Sequence, residues 1–296
     1  ELIRSKVRVL KGGAAPSDAE VHSFFNYVRQ STGELMLRSQ PTAMSLEEVQ
    51  RVNREAIAAL GLKAGDPESV VEALRRIVGV SDRAQMEYDS HLGALARLLL
   101  QSPDFIRGIE LSIDETTQNY AGQFDILDDG TPAISINING HNPRGVADTL
   151  LHELIHAYVD GVIRKPAAEQ TLQERSAIGT LEKLIVKIKA EFETVSSENV
   201  NVLGPQTRPT PAMPHQFHDQ RVYDALENVN EFVAHFLTST DFQNTVRVLL
   251  SEDAGSLNLF QQAIAAIRAL FRGTNAEFDA AFSAVLDLSH SSVLAA

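Results

Sequence analysis

The chain has 296 residues, 44% of them hydrophobic, with 39 acidic against 26 basic side chains, a net charge of -13 and no cysteine. That length suits one large or two modest domains with an ample core, and the acidic balance, without any long Lys/Arg run, makes nucleic acid and anionic membranes poor partners. No apolar stretch approaches the roughly 18 residues of a membrane span, and without thiolates any metal must be held by His, Asp, Glu or Tyr.

The chain begins at Glu1 rather than Met and carries no signal-peptide pattern, as expected of a trimmed chain, so the compartment stays open. The first hundred residues read mainly as helices. Ser45-Leu46-Glu47-Glu48 is a capping box that opens a helix to about Leu60. Asp66-Pro67-Glu68 opens another, with Pro in the first turn, to about Val78, and a Leu/Ala-rich helix follows from about Asp82 to Leu100. His22 and His91 are isolated and read as structural or surface residues.

The pattern changes at Gly108. Ile109, Leu111 and Ile113 alternate with Glu110 and Ser112; Tyr120, Phe124 and Ile126 continue that period; Asp128-Asp129-Gly130 is a turn; Ile134, Ile136 and Ile138 alternate with polar residues. These segments predict a small, mostly antiparallel sheet, with the Ile134–Ile138 strand as a candidate edge for an extended peptide. Asn142-Pro143 then caps a helix that Gly161 is expected to end. A long helix runs from about Ala168 to Val195, a Pro-rich loop from about Ser196 to Pro214, and helices resume near Asp219. The organisation expected is α+β and mainly helical: an N-terminal helical region (1–105), a core with the sheet (106–242) and a C-terminal helical region (243–296).

The most informative segment is His152-Glu153-Leu154-Ile155-His156. Residues four apart on a helix lie one above the other, so both imidazoles of an H-E-x-x-H can grip one zinc ion while the Glu reaches a water on it. Val146, Ala147, Leu150, Leu151, Leu154 and Ile155 make this helix apolar and buried, where two unpartnered His and a Glu would be costly without a metal.

A catalytic zinc takes three protein ligands and keeps one position open. Val159 and Val162 stand where the extended H-E-x-x-H-x-x-G-x-x-H pattern has its Gly and third His, which excludes that pattern. Asp160 follows on the same face, but ligands at i, i+4 and i+8 span about 12 Å of helix and do not converge, so Asp160 reads as a supporting or capping residue. A helix from Tyr223 to Phe236, with Leu226, Val229, Val233 and Phe236 as its buried face, offers Glu231, with Glu227 as the fallback. His235, four residues on, and Asn228, three back, are placed to buttress Glu231; Asp148, four before His152, is placed to orient an imidazole.

H-E-L-I-H followed by N-x-x-E-F-x-A resembles the gluzincin superfamily of zinc peptidases, in particular the anthrax lethal factor-like group and related domains of bacterial toxins, effectors and phage polyproteins. The likeness covers about Ile109 to Phe242. Leu226, Asn228, Glu231, Phe232 and Ala234 match; Tyr223 stands eight residues before Glu231 where the family usually has seven, and His235 stands where the family often has Glu. The resemblance implies a zincin-like core, one zinc on His152, His156 and Glu231, Glu153 as general base, and Tyr223 as donor to the tetrahedral oxygen. His215, His218 and His235 are alternative donors.

The function this favours is a zinc endopeptidase acting on a protein or peptide substrate, as a delivered toxin or effector or as a self-processing domain. The alternative is a non-catalytic, zinc-stabilised interaction module or a phage or secretion-apparatus structural component. Substrate, oligomeric state and the roles of the flanking helical regions are not legible.

Overall fold

Ser45 opens the first described helix, α1 (Leu46–Leu60), by accepting the Glu48 N–H on its hydroxyl at 3.2 Å, and Gly61 closes it at φ 73°, a conformation that suits glycine. Asp66 caps α2 (Pro67–Ser81) in the same way, and this helix runs three residues past the expected end. α3 (Glu87–Leu99) and the short α4 (Pro103–Arg107) lead to the sheet. This computed structural model describes residues 45–82, 87–116, 120–140, 145–202, 222–250, 256–271 and 276–294. His22, the Asn142-Pro143 cap, the prolines of 205–214, His215, His218 and Asp219 lie outside them.

Among the described residues the sheet has three strands, β1 (Glu110–Asp114), β2 (Gly122–Ile126) and β3 (Pro132–Asn137), in the order β1-β3-β2. β1 pairs with β3 in parallel and β2 pairs with β3 antiparallel, so the sheet is mixed rather than mostly antiparallel. β3 is the central strand, which corrects its expected place at an edge. Its Ile134 and Ile136 are 1% exposed, and the most apolar of the three strands takes the position flanked on both sides. β2, with Gln123 and Asp125 exposed, is an edge.

α5 (Val146–Ile163) carries the H-E-x-x-H segment and packs across β2 and β3. Gly161 lies inside this helix rather than at its end. The last carbonyls are met instead by the Gln170 side chain, which donates to Val162 and Ile163 at 3.4 and 2.9 Å. α6 (Leu172–Val202) starts later than expected because Thr171 and Glu174 form a reciprocal capping box, and it extends past Val195. The buried Glu174 also pairs with Lys165 at 3.0 Å.

The expected single helix from Tyr223 to Phe236 is two pieces. A helical turn over 222–225 stops at Leu226, Asn228 adopts extended backbone, and α7 (Val229–Thr238) begins afresh. α8 (Thr240–Leu249), α9 (Ser256–Leu270) and α10 (Ala276–Leu294) complete the described chain. α10 packs on α3, α9 on α6, and α7 on α5. One cluster of buried residues runs through all of them, from Ile57 to Val285, so the described flanking helices share the core that holds the sheet. The architecture is α+β, mainly helical, with a small mixed sheet.

A buried amide ties α1 to the end of the sheet. Asn53 Nδ2 donates to the Ile138 and Gly140 carbonyls at 2.8 and 2.9 Å. Asn53→Ala leaves both carbonyls without that donor, and urea denaturation is expected to show a loss of about 2–3 kcal/mol; a change below about 0.5 kcal/mol would contradict this role.

Candidate metal centre

Helical periodicity places His152 and His156 one turn apart on α5, and α7 brings Glu231 to them. The ligand-type atoms of His152, His156 and Glu231 all lie within 4.8 Å of one another. The two Nε2 atoms are 3.0 Å apart, and His156 Nε2 is 3.5 Å from Glu231 Oε2.

The other ring nitrogens fix the tautomers. Thr238 donates its hydroxyl hydrogen to the Ala234 carbonyl at 2.7 Å, so toward His152 it acts as an acceptor, and His152 Nδ1–H donates to it at 3.1 Å. His156 Nδ1–H donates to Asn230 Oδ1 at 3.1 Å. Both rings therefore turn unprotonated Nε2 atoms toward each other. Burial holds the His156 pKa below its ordinary value, against the raising effects of Asn230 and Asp160, so a second proton is a poor bridge between the rings. A cation is the natural occupant of two facing lone pairs beside a carboxylate.

Asn228 explains how Glu231 is aimed. Its side chain accepts the Glu231 N–H at 3.0 Å as N-cap of α7, so it anchors the backbone of Glu231 rather than buttressing the carboxylate. Glu231 is pushed up to about 7 by burial first and then by the charges of Glu227 and Asp224. His235, one turn after Glu231, has Nε2 3.7 Å from Glu231 Oε2, and its ring meets that of His152 edge-on at 4.9 Å. Asp160 pairs with Arg164 at 2.6 Å and reaches His156 only through its charge. Asp148 is buried a turn before His152, and the acceptor at His152 Nδ1 is Thr238.

Glu153 points to the sheet. A Cβ on Gly122 would meet Thr149 Cγ2 at 2.4 Å and Glu153 Cγ at 3.0 Å, so only glycine lets β2 lie this close to the carboxyl. Ala121 and Leu127 bond to Asn137 and Thr131 across the sheet, which leaves Gly122, Phe124 and Ile126 with their peptide groups on the free edge. The Phe124 N–H donates to Glu153, while burial and then the Glu231 charge push Glu153 up to about 8.

Tyr223 is not on the Glu231 helix, and the spacing argument that put it on the same side does not hold. Its ring packs edge-on against Phe192 at 5.3 Å, with Lys189 Nζ 6.0 Å from its centroid. Asn230, Thr238 and Gly122 were not singled out in the sequence. Asn230 has a readable signal, since it precedes the candidate ligand directly; Thr238 and Gly122 have none. Comparison with protein-family models, curated proteins and solved structures finds no match.

The two carboxyls make metal-free stability depend on pH. A carboxyl whose folded pKa is raised to about 8 contributes stability that is fully present below its unfolded value of 4.5 and is lost as pH rises through about 8. Glu153→Gln removes that dependence. In metal-free urea titrations the variant is expected to gain about 2–4 kcal/mol relative to wild type between pH 5 and pH 8.5; no relative gain would contradict the burial of this acid.

Proposed function

We propose that the chain is a zinc-dependent endopeptidase, with His152, His156 and Glu231 as ligands and Glu153 as general base. The observation that carries this reading is the facing pair of Nε2 atoms with Glu231 beside them. In a tetrahedral zinc site with bonds near 2.0–2.1 Å, neighbouring ligand atoms are about 3.3 Å apart. Two of the distances here, 3.0 and 3.5 Å, lie close to that value. Two imidazoles and one carboxylate is a donor set of catalytic rather than purely structural zinc sites. A zincin-like core is part of the same reading: α5 lies across the sheet, and an antiparallel edge strand runs beside its Glu.

Zinc bound there would polarise a scissile carbonyl and acidify a water molecule. Glu153 sits next to a ligand, and the cation would lower its pKa from the metal-free value of about 8, so that the ionised carboxylate would accept the proton of the attacking water and return it to the leaving amine. Asn230 and Thr238 hold the imidazoles in the tautomer that leaves Nε2 free. β2 takes the role first assigned to β3: its outer edge offers the Gly122 peptide group and the Phe124 carbonyl to an extended substrate beside Glu153, which already holds the Phe124 N–H. Tyr223 remains the oxyanion donor that the resemblance suggests, carried on the 222–225 turn rather than on the helix of Glu231.

The test is cleavage of unstructured proteins and a mixed peptide library by the zinc-loaded chain, read by mass spectrometry against Glu153→Gln. Wild type is expected to cut, and the variant to keep its zinc while losing about 10²–10⁴ in rate. Equal cleavage by both would remove Glu153 as the base. Stable zinc binding with no cleavage across the library would favour the zinc-stabilised interaction module.

A further inference from the structure

His235 belongs to the same constellation more closely than a neighbouring side chain need be. On α5, His152 and His156 are four residues apart; on α7, Glu231 and His235 are four residues apart, and the two pairs face each other. His235 matches His156 in its ring distance to His152 and in its distance to Glu231, although its ligand atoms fall outside the 4.8 Å group. Their ring centroids are 4.9 and 4.6 Å from that of His152, at interplanar angles of 71° and 79°. Their Nε2 atoms are 3.7 and 3.5 Å from the same oxygen, Glu231 Oε2. Phe242, with its centroid 6.1 Å away, lies against the His235 ring.

We propose that His235 is a displaceable fourth zinc ligand, so that the resting site is closed by three imidazoles and one carboxylate and is opened by an incoming oxygen ligand. This rests on the zinc reading of the preceding subsection. Helix geometry gives the reason: a metal gripped by one i,i+4 pair on each of two facing helices has four donors available, and His235 is the one outside the tight triad. It is also the outermost of the four: the ligand atoms of His152, His156 and Glu231 lie within 4.8 Å of one another and His235 falls outside that group, so it is the donor that an incoming oxygen displaces first. The exchange is redox-neutral: one imidazole leaves, one oxygen from water or from a substrate carbonyl enters, and the coordination number is conserved. The protein would then be latent until substrate engages β2, and its zinc would be held more tightly at rest than three ligands allow.

X-ray absorption at the zinc edge of the loaded full chain, compared between wild type and His235→Gln, tests this directly. The expected result is three imidazoles and one carboxylate in wild type, and two imidazoles with an added solvent oxygen in the variant. Zinc affinity is expected to fall at least tenfold in the variant while the stoichiometry at saturation stays at one. His235→Ala serves as the second variant, since it removes the donor without leaving an amide to take its place. Two imidazoles and solvent oxygen already present in wild type, or an imidazole count that neither variant changes, would overturn the proposal and leave the three-ligand site standing. Failure of wild type to take up zinc would overturn both.

Discussion

Everything at this centre depends on a single electrostatic constraint: two imidazoles and two carboxyls are held close together, with His156 and Glu153 buried and His152 and Glu231 partly so. Glu153 and His156 are 8% and 7% exposed, and Leu150, Leu151, Leu154, Phe232 and Val233 on the same two helices are fully buried. Without a cation the cluster must keep protons on its acids, and the raised pKa values of Glu153 and Glu231 express that cost. A divalent cation reverses the balance, since it needs the carboxylate ionised and the imidazoles neutral, and burial already favours the neutral form of His156.

The scaffold converts that constraint into geometry with few parts. α5 supplies two donors through helical spacing alone. The Asn228 cap starts α7 at the residue that puts Glu231 in its first turn, where the helix dipole favours a negative charge. α7 then returns Asn230 and Thr238, the latter in its last turn, to the backs of the two imidazoles, so one ten-residue helix provides a candidate ligand and both groups that orient the rings. Gly122 sets the remaining distance by letting the edge strand come down onto Glu153.

Much of this was legible in the sequence. The H-E-x-x-H spacing, the caps at Ser45 and Asp66, and Glu231 as the likeliest distant partner all follow from local chemistry, and the structure brings His152, His156 and Glu231 together. The break at Asn228 was not legible, because Leu226 and Val229 continue an apolar period straight across it and so disguise two helices as one. That error carried Tyr223 onto the wrong element. The strand order was hidden for a different reason: alternation reports which residues share a face and says nothing of whether neighbouring strands run parallel or antiparallel. Thr238 was invisible because its role needs Ala234 and His152 in three dimensions.

Metal uptake measures the central claim most directly. Elemental mass spectrometry after zinc loading and desalting, on wild type and Glu231→Ala, is expected to find about one zinc per wild-type chain and much less in the variant. Full zinc retention by Glu231→Ala would remove Glu231 from the centre, and a wild-type chain that takes up no zinc would contradict the account as a whole.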